Sequence, residues 1–595
     1  MNKSIRAFSA LAIAAISSSA SQAEEARYIV KLHSPSLFRE VDAELAESVR
    51  NGLQNSDVFG NAVDAQPRLF GTRARVLSGL KALNMIVVDS MDEATVEALS
   101  HNPDVAYIEK EFFFDAPRMP NARPLPPRTS QPIRTNNARP SIGSASELTW
   151  GLENIRATGA WNAVNNGAGK FGEGVRVLVI DTGIDRDHID IKANFEQGRN
   201  FITSRPGPLF RDRLPLGILP MAPVFPGANN NDPAAAYDYF DQVGHGTHVA
   251  GTIAGVANNQ GVVGVAPRAK ILAGRVCGKL GCSSTAIVAA IDWATTARAD
   301  VVNMSLGGPV PSRAQEDALK RLETAGVTVV AASGNDGAAR VSYPSAWASV
   351  ISVGAIDAKE AKAEFSNWGP ELDIVAPGVD VKSSVPTGSG RESRVKIPVN
   401  NRIVEIPSTS FVGAPEILDP FEGELAFAGL GKPEDFGSAN VRGKIALLAR
   451  GEIPFADKVK NAIAAGAVGV AIYNNVDGLL SGALTQDGST VAIPVVAIEK
   501  DRGEELKRRV GTQKVTMSIQ TIKTDHAGMQ GTSMASPHVA GLVALVKAAN
   551  KDLKPAQIRE IVARSARAVT PNPENKFGAG IADAEAAVRE ALKLR

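Results

Sequence analysis

Three short segments, spread over more than half of a 595-residue chain, constrain its fold more than any other feature. They are Val179-Ile180-Asp181-Thr182-Gly183, His245-Gly246-Thr247-His248-Val249-Ala250-Gly251 and Gly531-Thr532-Ser533-Met534-Ala535-Ser536-Pro537-His538. A serine hydroxyl is a poor nucleophile until an imidazole takes its proton, and that imidazole needs a carboxylate to orient it. Each segment brings one of those groups, in the chain order Asp, His, Ser. The fold must therefore carry three remote loops to one place. Singly, each group has a bland reading. Ser533 stands where a loop enters a helix and could simply cap it, with Pro537 in the first turn. His245 and His248, three apart, could be metal ligands, but the Glu and the third ligand of a zinc site are missing.

The pattern around the first segment fits such a convergence. Val175 to Ile180 is an apolar, β-branched run that stops at Asp181, and Val301–Ser305 and Val327–Ala331 are two more. Helical stretches from Ala286 to Arg298 and from Gln315 to Ala325 alternate with them. Strands alternating with helices predict an α/β fold, a doubly wound parallel sheet covered on both faces. Functional residues in such sheets sit just beyond the carboxyl ends of strands, where Asp181 falls.

All three motifs, flanks included, resemble those of subtilisin-like serine proteases (subtilases). The resemblance implies a subtilisin-like sheet in which Ser533 attacks a carbonyl, His245 moves the proton and Asp181 holds the imidazole. Ala331-Ala332-Ser333-Gly334-Asn335 is similar to the subtilase oxyanion segment, which implies Asn335 as a donor and Ala332, Ser333 and Gly334 as part of the substrate edge. Ser305-Leu306-Gly307-Gly308 is similar to the edge onto which an extended substrate pairs. Asp336 and Ser342 stand where the primary pocket is expected, although an exposed turn aspartate is the plainer reading. Asp190 and Asn258 match positions that share a structural calcium, though Ala257 and Gln260 depart from that pattern. The chemistry itself is expected to need no cofactor.

The rest of the chain divides around this frame. Residues 1–23 read as a secretory signal, with Lys3 and Arg6 ahead of an apolar Ala7–Ile16 stretch and Ser21-Gln22-Ala23 as a cleavage site. Residues 24–115 form a small α+β unit with strands at Arg27–Leu32, Met85–Val88 and Val105–Glu109 and a helix over Glu93–Ser100. Its order and its Asp104–Glu109 ending resemble the inhibitory propeptide of subtilases. Residues 116–146 hold seven Pro, five Arg and no acidic residue, which cannot build a core and reads as a linker. The catalytic part is expected over 147–394 and 523–595. Between them, 395–522 resembles an inserted α/β protease-associated domain, from motifs such as Gly443–Gly451, Gly466–Asn475 and Ile493–Ile498. A Pro- and Asn-rich loop over 202–233 is longer than a minimal protease needs.

Composition narrows the partners. The formal net charge is +1, so no bulk attraction to nucleic acid or to an anionic membrane is implied. No apolar run reaches the ~18–20 residues of a spanning helix. The two cysteines, Cys277 and Cys282, would close a small loop if the chain is exported to an extracellular or periplasmic space, and two packed thiols are the alternative. The expected molecule is a secreted, monomeric serine endopeptidase, acting on protein or peptide substrates and held inactive by its own propeptide. Two rivals use the same features. An esterase or peptide ligase would share the acyl-enzyme, and a docking protein would act through the inserted domain.

Overall fold

In a computed structural model of the chain, the described residues are 26–36, 38–39, 75–91, 93–114, 147–164, 170–202, 238–278, 281–399, 402–411, 413–475, 484–485, 490–572 and 574–595. The expected signal, the linker and most of the 202–233 loop lie outside them. The chain splits into two compact units, Met1–Phe112 and Phe113–Arg595.

The first unit is a four-stranded antiparallel sheet of β1 (Ala26–Leu32), β2 (Arg75–Leu80), β3 (Met85–Met91) and β4 (Val105–Lys110), in the order β2-β3-β1-β4. A helix over Glu93–Ser100 connects β3 to β4. Alternate residues of β1, Val30 and Leu32, meet Ile86 and Val88 in a small core that also holds Phe38 and Leu99, as period-two patterning requires.

The second unit opens with β5 (Phe113–Phe114). Its main sheet uses β6 (Arg176–Asp181), β7 (Phe195–Asn200), β8 (Lys270–Arg275), β11 (Val301–Met304), β12 (Thr328–Ala332), β13 (Val350–Ile356) and β14 (Ile374–Pro377). A hairpin of β9 (Cys277–Gly278) and β10 (Gly281–Ser283) stands between β8 and β11 in the chain. The sheet order is β14-β13-β12-β11-β6-β8-β7, every pairing is parallel, and the strands are almost wholly buried except the edge strand β7, which is half-buried to exposed. That is the doubly wound arrangement expected from the run of apolar strands and helices.

One helix, Thr532–Ala549, is buried on all sides except at Ser533 and Lys547. A helix apolar around its whole circumference belongs inside a core, and this one packs against the sheet with the helix His245–Ala254 beside it. The catalytic serine of the sequence reading is therefore the point at which a central helix reaches the surface.

Between β15 (Val381–Ser384) and β24 (His526–Met529), which pair with each other, lies the insert. Its eight-stranded sheet comprises β16 (Gly390–Val399), β17 (Arg402–Ile406), β18 (Ser408–Ser410), β19 (Ile417–Phe427), β20 (Ile445–Ala449), β21 (Gly469–Tyr473), β22 (Val495–Ile498) and β23 (Thr516–Thr524), in the order β17-β16-β23-β19-β20-β21-β22-β18. β19 to β22 run parallel, with helices Phe455–Ala464 and Lys500–Val510 between strands. Separate apolar clusters fill the space on the sheet's two faces.

Candidate active site

Asp181 is the last residue of β6 and is wholly buried. His245 is the first residue of its helix, and its Nδ1–H donates to Asp181 Oδ1 at 2.8 Å. The same Oδ1 accepts the Thr182 backbone N–H at 2.7 Å, so the carboxylate is fixed by its own turn. Gly246 lets the two elements meet, since a Cβ there would stand 2.1 Å from the Gly183 carbonyl oxygen. Burial alone pushes the His245 imidazole down, but the charge and hydrogen bond of Asp181 and the charge of Asp241 hold it above the usual histidine value.

Asp241 is absent from the sequence reading, yet it organises this corner. Its Oδ1 accepts Thr182 Oγ1–H and the backbone N–H groups of Val243 and Gly244. Its Oδ2 accepts both the hydroxyl and the N–H of Thr247, at 2.7 and 2.9 Å. Thr182 Oγ1 in turn accepts the Gly246 N–H. A carboxylate ahead of a helix N-terminus satisfies orphan donors and complements the dipole. The signal was an Asp four residues before the first helical residue.

Ser533 stands in the first turn of the Thr532–Ala549 helix. Pro537 lies one turn further in than the sequence reading placed it, and the consequence is local. A proline has no N–H, so the carbonyl four residues earlier loses its helical partner. That carbonyl belongs to Ser533, and the Ser305 hydroxyl donates to it at 2.8 Å. Ser533 Oγ–H donates back to the Ser305 carbonyl at 3.1 Å. The hydroxyl is thus turned toward the Ser305 strand end, and among the described residues it makes no hydrogen bond to His245.

The other expected residues gather here too. Asn335, in the loop three residues beyond β12, accepts from Thr532 N–H at 2.8 Å and from its hydroxyl at 3.0 Å, both on Oδ1. That orientation turns Nδ2 outward as a donor. Ser333 is tied to Val353 and to the Asn367 carbonyl, and Gly334 N–H donates to Thr532 Oγ1. Gly334 has φ +110°, and a Cβ would stand 2.3 Å from Asn367 Nδ2 and 2.4 Å from Ser342 Oγ. Gly308 pairs with Tyr343 through two backbone hydrogen bonds of 2.9 and 2.8 Å, and Leu306 is buried. Asp336 is exposed and receives Asn367 Nδ2–H at 3.2 Å, a turn contact. His248 is no metal ligand in this arrangement: its Nε2–H faces the carbonyls of Val381 and Ala527 at 2.9 and 3.2 Å.

The expected calcium position is corrected by its surroundings. Asp190 and Asn258 do approach each other, but Asn258 presents its amide N–H to Asp190 Oδ1 at 3.4 Å. Asp190 Oδ2 accepts from His526 Nε2, Ser384 Oγ and Val262 N–H at 2.6, 3.1 and 3.2 Å. Calcium needs six to eight oxygen ligands, whereas the groups facing this carboxylate are hydrogen-bond donors. The residues present do not fit the ion.

A model of the subtilase family matches residues 172–414, and a model of the PA domain matches residues 420–506. Over 379 residues the chain is 33% identical to M-protease of Shouchella clausii, covering 63% of this chain and 79% of that protein. The chain is a subtilase. This subtilase is also 39% identical over 243 residues to subtilisin Savinase of Lederbergia lenta, covering 41% of this chain and 76% of that protein. A crystal structure of a psychrophilic subtilisin-like protease from an Antarctic Pseudoalteromonas matches it at 29% identity, with 74% of this chain and 96% of that chain covered and a TM-score of 0.49. As a member of the family the subtilase is a serine endopeptidase, acts on protein substrates, needs no cofactor for its chemistry and carries a PA domain set into its catalytic fold. Cys277 and Cys282 are joined by a disulfide.

Proposed function

We propose that Ser533 is the nucleophile of this endopeptidase, with His245 as general base and acid and Asp181 as the group that holds the imidazole tautomer. The observation that carries this reading is the buried Asp181–His245 hydrogen bond of 2.8 Å at the start of a helix that packs against the serine helix, whose first turn reaches the surface at Ser533. In this reading the Ser533 hydroxyl leaves the Ser305 carbonyl for the imidazole when substrate binds. Nucleophile–base bonds are commonly unformed until substrate is present. The hydroxyl then attacks the scissile carbonyl, its proton passes to His245 Nε2, and the same proton goes to the departing amine. Water repeats the sequence on the acyl-enzyme.

The developing oxyanion meets two donors in this reading. One is Asn335 Nδ2, held outward by Thr532. The other is the Ser533 backbone N–H, an orphan donor at a helix N-terminus where the dipole favours negative charge. Asn335→Ala is expected to lower kcat by about 10²–10³ with KM little changed, the size known from the same donor in subtilisin itself. Steady-state kinetics on a peptide substrate checks this, and an unchanged kcat would remove Asn335 from the mechanism.

Ser305–Gly308 and Ala332–Gly334 form the edge for an extended substrate in this proposal. Its support is a strand of the chain's own. β5 pairs antiparallel with β10, Phe114 opposite Cys282 and Phe113 opposite Ser283. The Phe114 ring lies over Gly308, where a Cβ would come within 2.7 Å of Cδ1. An extended segment adding a strand to a free edge gains affinity from main-chain bonds, and pockets select its side chains. The residues just after the first unit thus lie as a bound peptide would. Residues 1–23 act as an export signal, 24–115 as a propeptide inhibiting the enzyme in cis, and 116–146 as a linker trimmed during maturation. The inserted domain spans about 395–522, and the mature enzyme works outside the cytoplasm as a monomer.

The disulfide joins the cross-strand pair Cys277 and Cys282, so it stiffens the strand on which β5 lies. Reduction, or the double change Cys277→Ser with Cys282→Ser, is expected to raise KM by about fivefold for peptides long enough to pair with β10, about the cost of ordering one backbone residue. A short ester substrate that reaches only the primary pocket should keep its kcat/KM. Equal losses on both substrates would mean that the bridge supports the fold and not the edge.

A further inference from the structure

The position at which an ion was expected is filled from within the chain, and by a residue on the far side of the insert. Among the described residues, His188, Asp190 and His526 form a group close enough to hold a metal ion. The contacts argue for a different use. His188 Nε2–H donates to the Asp525 carbonyl at 2.8 Å and its Nδ1 accepts the Asp190 N–H at 3.1 Å, so both ring nitrogens are taken. His526 Nε2 is 2.6 Å from Asp190 Oδ2, a hydrogen-bond separation. Two ligands about 2.0–2.2 Å from a tetrahedral zinc would stand more than 3 Å apart. Residue 261 comes close to the carboxylate and must be a glycine there. A Cβ on Gly261 would lie 2.6 and 2.5 Å from its two oxygens and 2.5 Å from His526 Nε2.

We infer that His526 does at Asp190 what a bound cation would do, and that in doing so it anchors both attachments of the inserted domain to the catalytic domain without metal. β15 leads into the insert and β24 leads out of it. Their outermost pair is Ser384 with His526, and both side chains donate to the same Asp190 oxygen. The His188 and His526 rings meet edge to face, with centroids 5.3 Å apart and planes at 88°. Further along the ladder, His248 faces one carbonyl on each strand, Val381 and Ala527, and Ser383 Oγ–H donates to the His248 carbonyl. The two-stranded ladder is therefore fixed to the Asp190 loop at one end and to the histidine helix at the other. β24 then runs directly into the serine helix. An internal anchor keeps the re-entry of the chain, and hence the approach to Ser533, independent of calcium supply.

Thermal unfolding of the full chain tests this, carried as Ser533→Ala so that self-digestion does not intervene. The apparent midpoint is read with a chelator, with calcium in excess and with zinc in excess. The expected result is one midpoint in all three. An ion present at a hundred times its dissociation constant would raise it by about 3 °C, and such a rise with either metal overturns the inference. His526→Ala is expected to lower the midpoint by about 2–3 °C, the loss of one charge-assisted hydrogen bond. His526→Gln, which keeps a donor, should recover part of that loss. An unmoved midpoint in His526→Ala overturns the inference equally.

Discussion

Ser533→Ala is expected to stop peptide-bond hydrolysis, with kcat falling by about 10⁶, a figure that belongs to subtilisin and is carried over here by family membership. The structure gives reason to expect that the fold survives. Among the described residues the hydroxyl makes a single hydrogen bond, to the Ser305 carbonyl, and its loss leaves a half-buried position with no large void. The Ser305 side chain still caps the Ser533 carbonyl that Pro537 leaves unpaired. Loss of activity with an unchanged unfolding midpoint would therefore be a chemical effect. The same variant should also accumulate as an uncut precursor, visible as the intact mass of the signal-free chain. A docking protein working through its insert would keep its function after this change. Activity within tenfold of wild type would remove Ser533 from the reaction altogether.

The parts of this molecule that were legible in its sequence are those governed by short-range pattern. β6 could be placed because a β-branched run ends at a polar residue, and the serine helix because Ser533 stands where a loop gives way to a largely apolar stretch from Val539 to Val546. The Cys277–Cys282 hairpin was within reach for the same reason. What escaped depends on residues remote in sequence. Nothing near Asp190 announces that its partner is His526, 336 residues later. The calcium expectation rested on a motif that carries the carboxylate but not the groups the fold turns toward it. Asp241 escaped differently. Its bonds are local except that to Thr182, but it follows a long Pro- and Asn-rich stretch and stands outside the motif that begins at His245. Pro537 was read as a first-turn residue. Only the structure places it a turn deeper, where it unpairs the Ser533 carbonyl and so links Ser305 to the nucleophile.

Stability should fall steeply as the solution is acidified from neutrality, because two histidines are buried without charge. Burial is the main cause in both. It pushes His248 down to about 3, with the nearby His245 acting in the same direction and the Val381 and Ala527 carbonyls opposing it. It pushes His538 down to about 4, against the opposing Met534 carbonyl. In the unfolded chain each takes a proton near pH 6.5. Above that value neither state is charged and the native form keeps its full advantage. As the pH falls below about 6.5 the unfolded state binds protons that the native state refuses, and each histidine removes about 1.4 kcal/mol per pH unit until its folded pKa is reached. Together they withdraw roughly 5–7 kcal/mol between about pH 6.5 and 4, comparable with the whole stability of many domains. His245 does not offset this. Its pKa is raised in the fold, so its contribution is already complete below its unfolded value and is lost only as the pH rises through the folded one. Denaturant unfolding of the Ser533→Ala chain at a series of pH values should yield this slope. Adding His538→Gln should make it shallower by about 1.4 kcal/mol per unit down to about pH 4, whatever that change does to stability at neutrality. An identical slope in the two chains would mean that His538 is charged in the native state, and with it that the core around the serine helix admits water.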